Sequence, residues 1–464
     1  MNESLTALSA LEVCAGVKAR RFTARAVTEA MLQRIDALNP TLNAYTLVTA
    51  DRALAEAAKV DAAVAAGKDP GPLAGASYSV KNLFDLQDVV TIAGSKINAD
   101  DPPAARDATA VARLSDAGAI CLGATNMGEY AYDFVTINAH HGATRNPRDP
   151  SRSAGGSSGG SGAAVAAGLC TFSLGSDTNG SVRVPASFCG VWGLKPTYGR
   201  LSRAGVFPFA DGLDTVGVLG RTVTDLAASH DAMAGPDSRD PVCWDGAAAH
   251  LTPVLGEGLA GLRIARLGGY FARGWTSDIQ RAVEAVASAL NVDRELELPS
   301  PDLARSAAYV ITAAEGGELH RERLVARAAD FDPSARDRFI AGALTPAAWY
   351  LHAQRYRAYW RAQVAKIFET VDVLIAPATP MTAPSLDQQT FMFDGVELPI
   401  RANIGLFTQP ITLIGLPVVA APVQNAEGLP LAVQLIGKPG GEAALMRVAR
   451  VLEEAGVCAA PVAP

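Results

Sequence analysis

The chain has 464 residues, of which 49% are hydrophobic and 19% charged, so it is long and apolar enough to bury a sizeable core. Its formal net charge of −7 gives no basic surface for a phosphate backbone, which argues against direct nucleic-acid binding and favours a small-molecule substrate. The six cysteines include no C-x-x-C pair, and their spacing is typical of free thiols in a reducing compartment.

The amino-terminal sequence, MNESLTALSALEVCAGVKARR, lacks the basic start, the long apolar run and the cleavage site of a secretory signal peptide. Elsewhere, glycine, proline or polar residues interrupt each apolar stretch before it reaches the roughly twenty residues of a membrane-spanning helix. We therefore expect a cytoplasmic protein that does not associate with a membrane.

The first regular elements are predicted to be helices. Residues 23–38 repeat apolar side chains every four positions, with Thr23 as the N-cap and Asn39–Pro40 as the predicted end. A second helix is predicted over residues 50–66, so that residues 5–68 form a helical pair.

Short apolar segments then alternate with helical patterns, as in a sheet covered by helices on both faces. These predicted strands are residues 74–80, 119–123, 213–219, 263–267 and 371–376. The sequence therefore predicts an α/β fold, with a mixed central β-sheet in a single large domain. Within residues 1–464 we expect a catalytic core at about 70–230, a variable helix-rich region at about 231–369 and a return to the core at about 370–464. The variable region is a candidate insertion or lid.

Residues 154–170, AGGSSGGSGAAVAAGLC, have the glycine- and serine-rich composition of many flexible linkers. A linker is solvated, whereas no charged residue occurs from 154 to 176, so a buried loop and a small-residue helix are the better prediction. The segment also matches G-x-S-x-G, but residues 144–153 contain two prolines and four charges and cannot supply the buried strand of a nucleophile elbow. No Gly-Lys-Ser/Thr follows, which excludes a P-loop.

Ser181 follows a turn rich in glycine, asparagine and aspartate within LGSDTNGSVRVPASFCGVWGLKPTYGR, residues 174–200. Such a turn can direct several backbone N–H groups at one point. An oxyanion hole is built in this way, and one donor contributes about 3 kcal/mol to a tetrahedral intermediate. An ordinary tight turn is the alternative interpretation of the same residues.

Lys81 ends the apolar run LAGASYSVK. A lysine in this position is commonly a solvated residue at a strand edge. If the side chain is buried instead, desolvation lowers its pKa, and a neutral amine can act as a general base. Lys81 is therefore a candidate base.

Together, the motifs AGGSSGGSGAAVAAG, SVKN and the 174–200 segment resemble the amidase signature family, and they occur at the family's spacing. The resemblance covers nearly the whole chain and is weakest from about 231 to 345. It implies hydrolysis of a carbon–nitrogen amide bond by a Ser–cis-Ser–Lys triad. The adjacent His140 and His141 lack metal-ligand spacing, and neither a metal nor a cofactor is expected.

The resemblance also implies the roles of individual residues. Ser181 would be the nucleophile, Ser157 the proton relay after a cis peptide bond, and Lys81 the base. The oxyanion hole would be formed by the backbone of Thr178, Asn179, Gly180 and Ser181. The family's supporting positions correspond to Ser158, Asp177 and Arg183.

Two positions depart from the family pattern without removing a member of the triad. Many members have two glycines before the nucleophile, where this chain has Asn179 and Gly180, so an additional side chain lies beside the expected oxyanion hole. Many also have aspartate after the lysine, where this chain has Asn82.

The motifs leave the identity of the amide open. The glutamine-splitting subunits of tRNA-dependent amidotransferases, which belong to the family, carry an acidic residue where this chain has Gly405. The stretches TAAEGGELHRERLVARAADFDPSARDRFIAGAL and LPIRANIGLFTQPITLIGLPVV resemble instead the branch that contains the 1-carboxybiuret hydrolase of cyanuric-acid degradation. A small, carboxylated urea-like or amide substrate that releases ammonia is therefore our preferred prediction, with 1-carboxybiuret as the specific choice.

Such a substrate calls for an arginine in the pocket, although each arginine has the alternative of a solvated surface charge. The candidate substrate-binding residues are Tyr132, Asn138, Arg338, Arg355 and Arg401. The resemblance also implies an oligomer, and a possible partner is a small helical accessory subunit. Two alternatives stay open: an ammonia-supplying glutaminase component of an amidotransferase, and a catalytically silent assembly subunit.

Overall fold

An eleven-stranded mixed β-sheet forms the centre of the computed structural model, which describes residues 2–247, 249–425 and 428–463. The strands are β1 (Tyr45–Val48), β2 (Ser77–Lys81), β3 (Ile120–Thr125), β4 (Ile137–Asn138), β5 (Gly142–Ala143), β6 (Arg145–Asn146), β7 (Asp149–Ser153), β8 (Phe172–Asp177), β9 (Trp192–Lys195), β10 (Thr215–Gly220), β11 (Ile264–Leu267), β12 (Glu295–Leu296), β13 (Val373–Pro377), β14 (Thr390–Phe393), β15 (Val396–Pro399), β16 (Val418–Val423) and β17 (Leu431–Gly437). The order across the central sheet is β1-β3-β2-β8-β10-β9-β16-β17-β13-β11-β12.

Parallel and antiparallel pairs alternate in blocks across this sheet. Strand β2 pairs in parallel with both β3 and β8, and β11 pairs in parallel with β12 and β13. The strands between these blocks, from β8 to β13 in sheet order, pair antiparallel. Outside the central sheet, β4–β5, β6–β7 and β14–β15 form two-stranded pairs.

Helices flank the sheet and close its apolar faces. They are α1 (Asn2–Ala7), α2 (Ala10–Lys18), α3 (Ala24–Leu42), α4 (Ala50–Ala65), α5 (Thr109–Asp116), α6 (Gly159–Ala166), α7 (Arg183–Cys189), α8 (Val223–Met233), α9 (Ser277–Ala289), α10 (Pro301–Leu319), α11 (Arg321–Arg327), α12 (Pro333–Ala343), α13 (Ala347–Ile367), α14 (Ile400–Asn403), α15 (Gln409–Leu413) and α16 (Glu442–Glu454). The predicted α/β fold with a mixed central sheet is thereby confirmed. Within the described ranges, no helix is both long and apolar enough to cross a membrane.

The predicted amino-terminal helix begins where expected but ends later. The Thr23 side chain accepts the N–H of Ala26, as an N-cap does. The predicted end at Asn39–Pro40 is wrong, because α3 continues through Pro40 to Leu42. Asn43 then adopts a left-handed conformation, and its N–H donates to the Asn39 carbonyl. A proline in the last turn removes one N–H donor without stopping the helix there.

Two local predictions from the glycine- and serine-rich region are also confirmed. Residues 154–176 are all buried, and their small residues continue into α6. Residues 145–153 form the short β6–β7 pair outside the central sheet, so no buried strand leads into the serines. The region from 231 to 369 adds β11 and β12 to the central sheet besides its helices. It therefore belongs to the same domain as the core.

Candidate active site

Lys81 is the last residue of β2 and is fully buried. Its Nζ atom lies 2.7 Å from Ser157 Oγ and 2.8 Å from Ser176 Oγ. Burial lowers the pKa of Lys81 from 10.5 to about 7, although the carboxylates of Asp214 and Asp177 oppose the shift. The amine is therefore largely neutral just above neutral pH, and it can take a proton from the Ser157 hydroxyl.

Ser157 lies at the start of the turn that leads into α6, after a cis Gly156–Ser157 peptide bond. It is fully buried, and its carbonyl oxygen accepts hydrogen bonds from the Gly128 N–H and the Thr136 hydroxyl, both at 3.3 Å. A side chain at position 156 would place its Cβ 2.7 Å from the Val135 nitrogen, so only glycine fits there. The backbone around Ser157 thus holds the hydroxyl next to Lys81.

Ser181 lies in the turn between β8 and α7, and its carbonyl oxygen accepts the N–H of Ser158 at 3.3 Å. It is 2% exposed and lines a narrow cavity. Among the described residues, Ser181 Oγ forms no hydrogen bond, to Ser157 or to any other group. The hydroxyl is therefore free to turn toward either Ser157 or a bound substrate.

A buried ion pair holds the turn that contains Ser181. Both carboxylate oxygens of Asp177 accept hydrogen bonds from Arg183 at 2.9 Å, and they also accept the N–H groups of Gly180 at 2.7 Å and Val182 at 3.2 Å. Burial alone would raise the pKa of Asp177, but the charge and hydrogen bonds of Arg183, together with Lys195 and the Val182 N–H, outweigh burial and hold the pKa below its usual range. The carboxylate therefore stays ionised and fixes the turn.

The backbone N–H groups of this turn are unequally available to a substrate. The N–H of Gly180 is committed to Asp177. Within the described part of the chain, those of Thr178, Asn179 and Ser181 have no acceptor. Gly180 has φ +135°, and a Cβ there would lie 2.3 Å from Thr408 Oγ1, so the turn requires glycine. Three of the four predicted oxyanion-hole donors are thus unoccupied.

The five candidate substrate-binding residues occupy different surroundings. Tyr132 and Arg338 line the cavity that contains Ser181. Asn138 instead holds the backbone, because its amide nitrogen donates to the carbonyls of Gly94 and Met127.

The other two arginines lie outside the cavity lining. Arg355 is exposed on α13, whereas Arg401 pairs with Asp133 at 3.3 Å.

Arg338 is the cation of the cavity lining. Its guanidinium carbon lies 3.5 Å from the centre of the Tyr132 ring, and one terminal nitrogen donates to the Tyr132 carbonyl oxygen at 2.7 Å. Its Nε is buried and has no hydrogen-bond partner among the described residues. A buried donor of this kind is suited to an anionic group of a ligand.

Sequence reasoning missed three contributors to this site. Ser176 contacts Lys81. Asp214 accepts the Thr178 hydroxyl at 2.6 Å and the Phe209 N–H at 2.7 Å. Thr312 accepts the Asn179 side-chain N–H at 2.8 Å. Ser176 was within reach of prediction, because it precedes Asp177 at the end of β8, beside the end of β2. Asp214 and Thr312 lie in no recognisable sequence motif, so nothing in the sequence indicated their roles.

Comparison with known proteins gives the family of the chain. The sequence model of the amidase family matches residues 26–446. The chain belongs to this family. It is 49% identical to AtzE, a 1-carboxybiuret hydrolase subunit of Pseudomonas sp. (strain ADP), over 97% of this chain and 99% of that protein. It is 37% identical to a glutamyl-tRNA(Gln) amidotransferase subunit of Moorella thermoacetica, over 96% of each chain.

Solved structures of the family agree with this assignment. An inhibitor-bound vestigial protein complex, described as revealing the evolutionary origins of an s-triazine catabolic enzyme, matches with a TM-score of 0.96 and 48% identity, over 97% of this chain and 99% of that chain. A 6-aminohexanoate cyclic dimer hydrolase with bound substrate matches with a TM-score of 0.85 and 27% identity over 97% of each chain. The predicted family is confirmed, and the chain is an amidohydrolase.

Proposed function

We propose that this amidohydrolase cleaves the amide bond through an acyl-enzyme on Ser181. Neutral Lys81 accepts a proton from Ser157, which accepts the proton of Ser181 as Ser181 Oγ bonds to the substrate carbonyl carbon. The free N–H groups of Thr178, Asn179 and Ser181 would stabilise the resulting oxyanion. This sequence requires Ser181 Oγ to rotate toward Ser157, and no hydrogen bond within the described residues opposes that rotation.

The collapse of the tetrahedral intermediate breaks the carbon–nitrogen bond. Ser157 gives its proton to the departing nitrogen, which leaves as ammonia, and Ser157 recovers a proton from Lys81. A water molecule then attacks the acyl carbon while Ser157 and Lys81 again accept the proton. Breaking of the ester bond returns the proton to Ser181 Oγ and releases the acid.

We infer that the substrate is a small carboxylated urea, with 1-carboxybiuret as the specific choice. The observation that carries this proposal is Arg338, which lines the same cavity as Ser181 and whose buried Nε has no partner among the described residues. A carboxylate would occupy this donor and neutralise the guanidinium. The relative AtzE, 49% identical, is named a 1-carboxybiuret hydrolase, which supports the same choice.

The surroundings of Gly405 argue against glutamine. A Cβ at this position would lie 2.5 Å from the end of the Phe134 ring, and Phe134 lines the cavity. The aromatic ring therefore fills the space that an acidic side chain would need for binding an ammonium group. The carboxylate of Asp133 is committed to Arg401 and to the N–H groups of its own loop. A cationic substrate would thus find no free carboxylate in the described lining.

We further propose that the protein is cytoplasmic and works in an oligomer with a small helical subunit. The relative AtzE is named a subunit, and the similar solved structure is a protein complex. Exposed apolar side chains near the end of α12 and along α13 provide a surface for such a partner.

Ammonia release across a panel of amides tests the function. Purified protein, with and without a copurifying subunit, is assayed with 1-carboxybiuret, biuret, oxamate, short aliphatic amides and glutamine. We expect the largest kcat/KM for 1-carboxybiuret and its loss in Ser181→Ala. Arg338→Gln is expected to raise KM for carboxylated substrates more than for biuret, because biuret has no carboxylate. Activity of Ser181→Ala equal to that of the wild type would refute the proposed mechanism. A preference of the wild-type enzyme for glutamine would refute the proposed substrate.

A further inference from the structure

Asn179, in the oxyanion turn, brings an amide side chain to the cavity. It is 7% exposed and lines the cavity together with Ser181. Its side-chain nitrogen donates to Thr312 Oγ1 on α10 at 2.8 Å, and its backbone carbonyl accepts the Thr408 hydroxyl at 2.6 Å. Asn179 is therefore held through its side-chain nitrogen and its backbone carbonyl, two positions before the nucleophile in sequence.

The second atom of this amide is unpaired. Asn179 Oδ1 is buried and has no hydrogen-bond partner among the described residues. A buried acceptor without a donor is energetically unfavourable, so such groups are uncommon and need an explanation. A ligand that brings an N–H group into the cavity would remove this cost. Many members of the family have glycine here, so the acceptor is a feature of this chain rather than of the shared mechanism.

Asn179 and Arg338 both line one cavity, and their unpaired buried atoms are of opposite hydrogen-bonding kind. Asn179 supplies an acceptor and Arg338 a positively charged donor, and neither atom has a partner among the described residues. A carboxylated urea has the complementary pair, because an N–H flanks its scissile carbonyl and a carboxylate lies at its other end. An ordinary carboxamide has a carbon atom in place of that N–H and leaves the acceptor unsatisfied.

We propose that Asn179 Oδ1 accepts a hydrogen bond from the substrate N–H next to the scissile carbonyl, and thereby selects ureas over carbon-linked amides. This inference rests on the proposed function and deepens it. Thr312 is the positioning residue, because its hydroxyl fixes the amide group of Asn179. Selection arises because a carbon-linked amide loses one hydrogen bond and leaves a buried acceptor unpaired.

The test compares two isosteric substrates. One is 1-carboxybiuret, and the other is its analogue in which CH2 replaces the N–H next to the scissile carbonyl. We expect the wild-type enzyme to prefer the N–H compound by about 10- to 100-fold in kcat/KM. In Asn179→Ala this preference should fall at least tenfold, because the loss is larger for the N–H compound. Thr312→Val should shift the ratio in the same direction by a smaller factor.

Each outcome has a defined meaning. A wild-type ratio near one overturns the inference, and this measurement does not depend on the folding of any variant. Equal losses of both substrates in Asn179→Ala also overturn it, because such a change reflects damage to the oxyanion hole alone. Absence of activity on every carboxylated urea refutes the proposed function instead, whereas activity without N–H preference leaves that function standing.

Discussion

At the scale of single residues, the pKa of Lys81 connects burial to catalysis. The lysine must be neutral to accept a proton, and burial places its pKa at about 7. We expect kcat/KM to rise with pH and to level off above a midpoint near 7. A profile measured between pH 5 and 9 at constant ionic strength checks this expectation. A midpoint near the ordinary lysine value would contradict the role of Lys81.

Asp214 tunes that midpoint. Its carboxylate raises the pKa of Lys81 against the effect of burial, and it also accepts the hydroxyl of Thr178. Asp214→Asn removes the negative charge, so the protonated lysine loses stabilisation and the midpoint should move to lower pH. The maximal rate should also fall, because an NH2 group, which cannot accept a hydrogen bond, replaces one of the two carboxylate oxygens that accept the Thr178 hydroxyl and the N–H groups of Phe209 and Ala210. The pH profile separates the first effect from the second.

A matched control exists in Asp225, another buried aspartate, which accepts the Ala10 N–H and does not contribute to the pKa of Lys81. Asp225→Asn should leave the midpoint unchanged. If both variants shift the midpoint equally, the assignment to Asp214 is wrong.

At the scale of elements, the start of α12 supports the proposed substrate-binding arginine. Asp332 caps this helix by accepting the N–H and the hydroxyl of Ser334, and it also accepts the Ala139 N–H. Arg338 lies in the second turn of the same helix. Asp332→Ala should lower the free energy of unfolding by about 1–2 kcal/mol and raise KM several-fold. Urea unfolding and steady-state kinetics measure the two effects.

The helix α9 provides the control for this prediction. Thr276 caps it by accepting the N–H of Ile279, and α9 contributes no residue to the cavity lining. Thr276→Ala should lower the free energy of unfolding by about as much as Asp332→Ala does, without changing KM. If both variants raise KM alike, general destabilisation explains the effect, and α12 has no special role.

Elements with strong local patterns were predictable from the sequence. The Thr23 cap and the apolar strands follow from the chemistry of neighbouring residues. The end of α3 was not predictable from the sequence, because Asn43 ends the helix by adopting a left-handed conformation beyond the proline. The candidate triad followed from the resemblance of three motifs to the amidase signature family, whereas the contact of Asn179 with Thr312 joins residues 133 positions apart and has no such motif. Local patterns carry no information on such contacts.

At the scale of the whole molecule, a buried lysine opposes folding. The unfolded chain binds a proton at Lys81 below pH 10.5, and the folded chain binds it only below about 7. The resulting destabilisation is fully present below pH 7 and disappears as the pH approaches 10.5, with an upper limit of about 5 kcal/mol at about 1.4 kcal/mol per pH unit.

Lys81→Met should therefore be inactive but more stable than the wild type at pH 7. The gain should be about 2–4 kcal/mol, because the loss of contacts with Ser157 and Ser176 offsets part of it. The difference in free energy of unfolding should shrink as the pH rises from 7 to 9, and urea unfolding at three pH values measures it. If the free energies of unfolding of the wild type and of Lys81→Met change in parallel with pH, the folded protein keeps the lysine charged.

Assembly is the last property that belongs to the whole molecule. Leu344, Trp349, Leu351 and Tyr359, at the end of α12 and on α13, are between 52% and 76% exposed, and we use the name α12–α13 patch for these four residues. Exposed apolar patches of this kind mark interaction surfaces in soluble proteins. If the proposed helical subunit covers the patch, the double variant Leu344→Asp/Trp349→Glu should lose the subunit, with a lower mass in light scattering after gel filtration.

Met392 on β14 provides the control, because it is 64% exposed and lies outside the α12–α13 patch. Met392→Glu should keep both the mass of the wild-type assembly and its helical partner. An unchanged mass of the double variant would place the partner elsewhere. A loss equal to a second copy of this chain would instead identify the α12–α13 patch as a contact between copies, because a short subunit is much lighter than the 48.1 kDa chain.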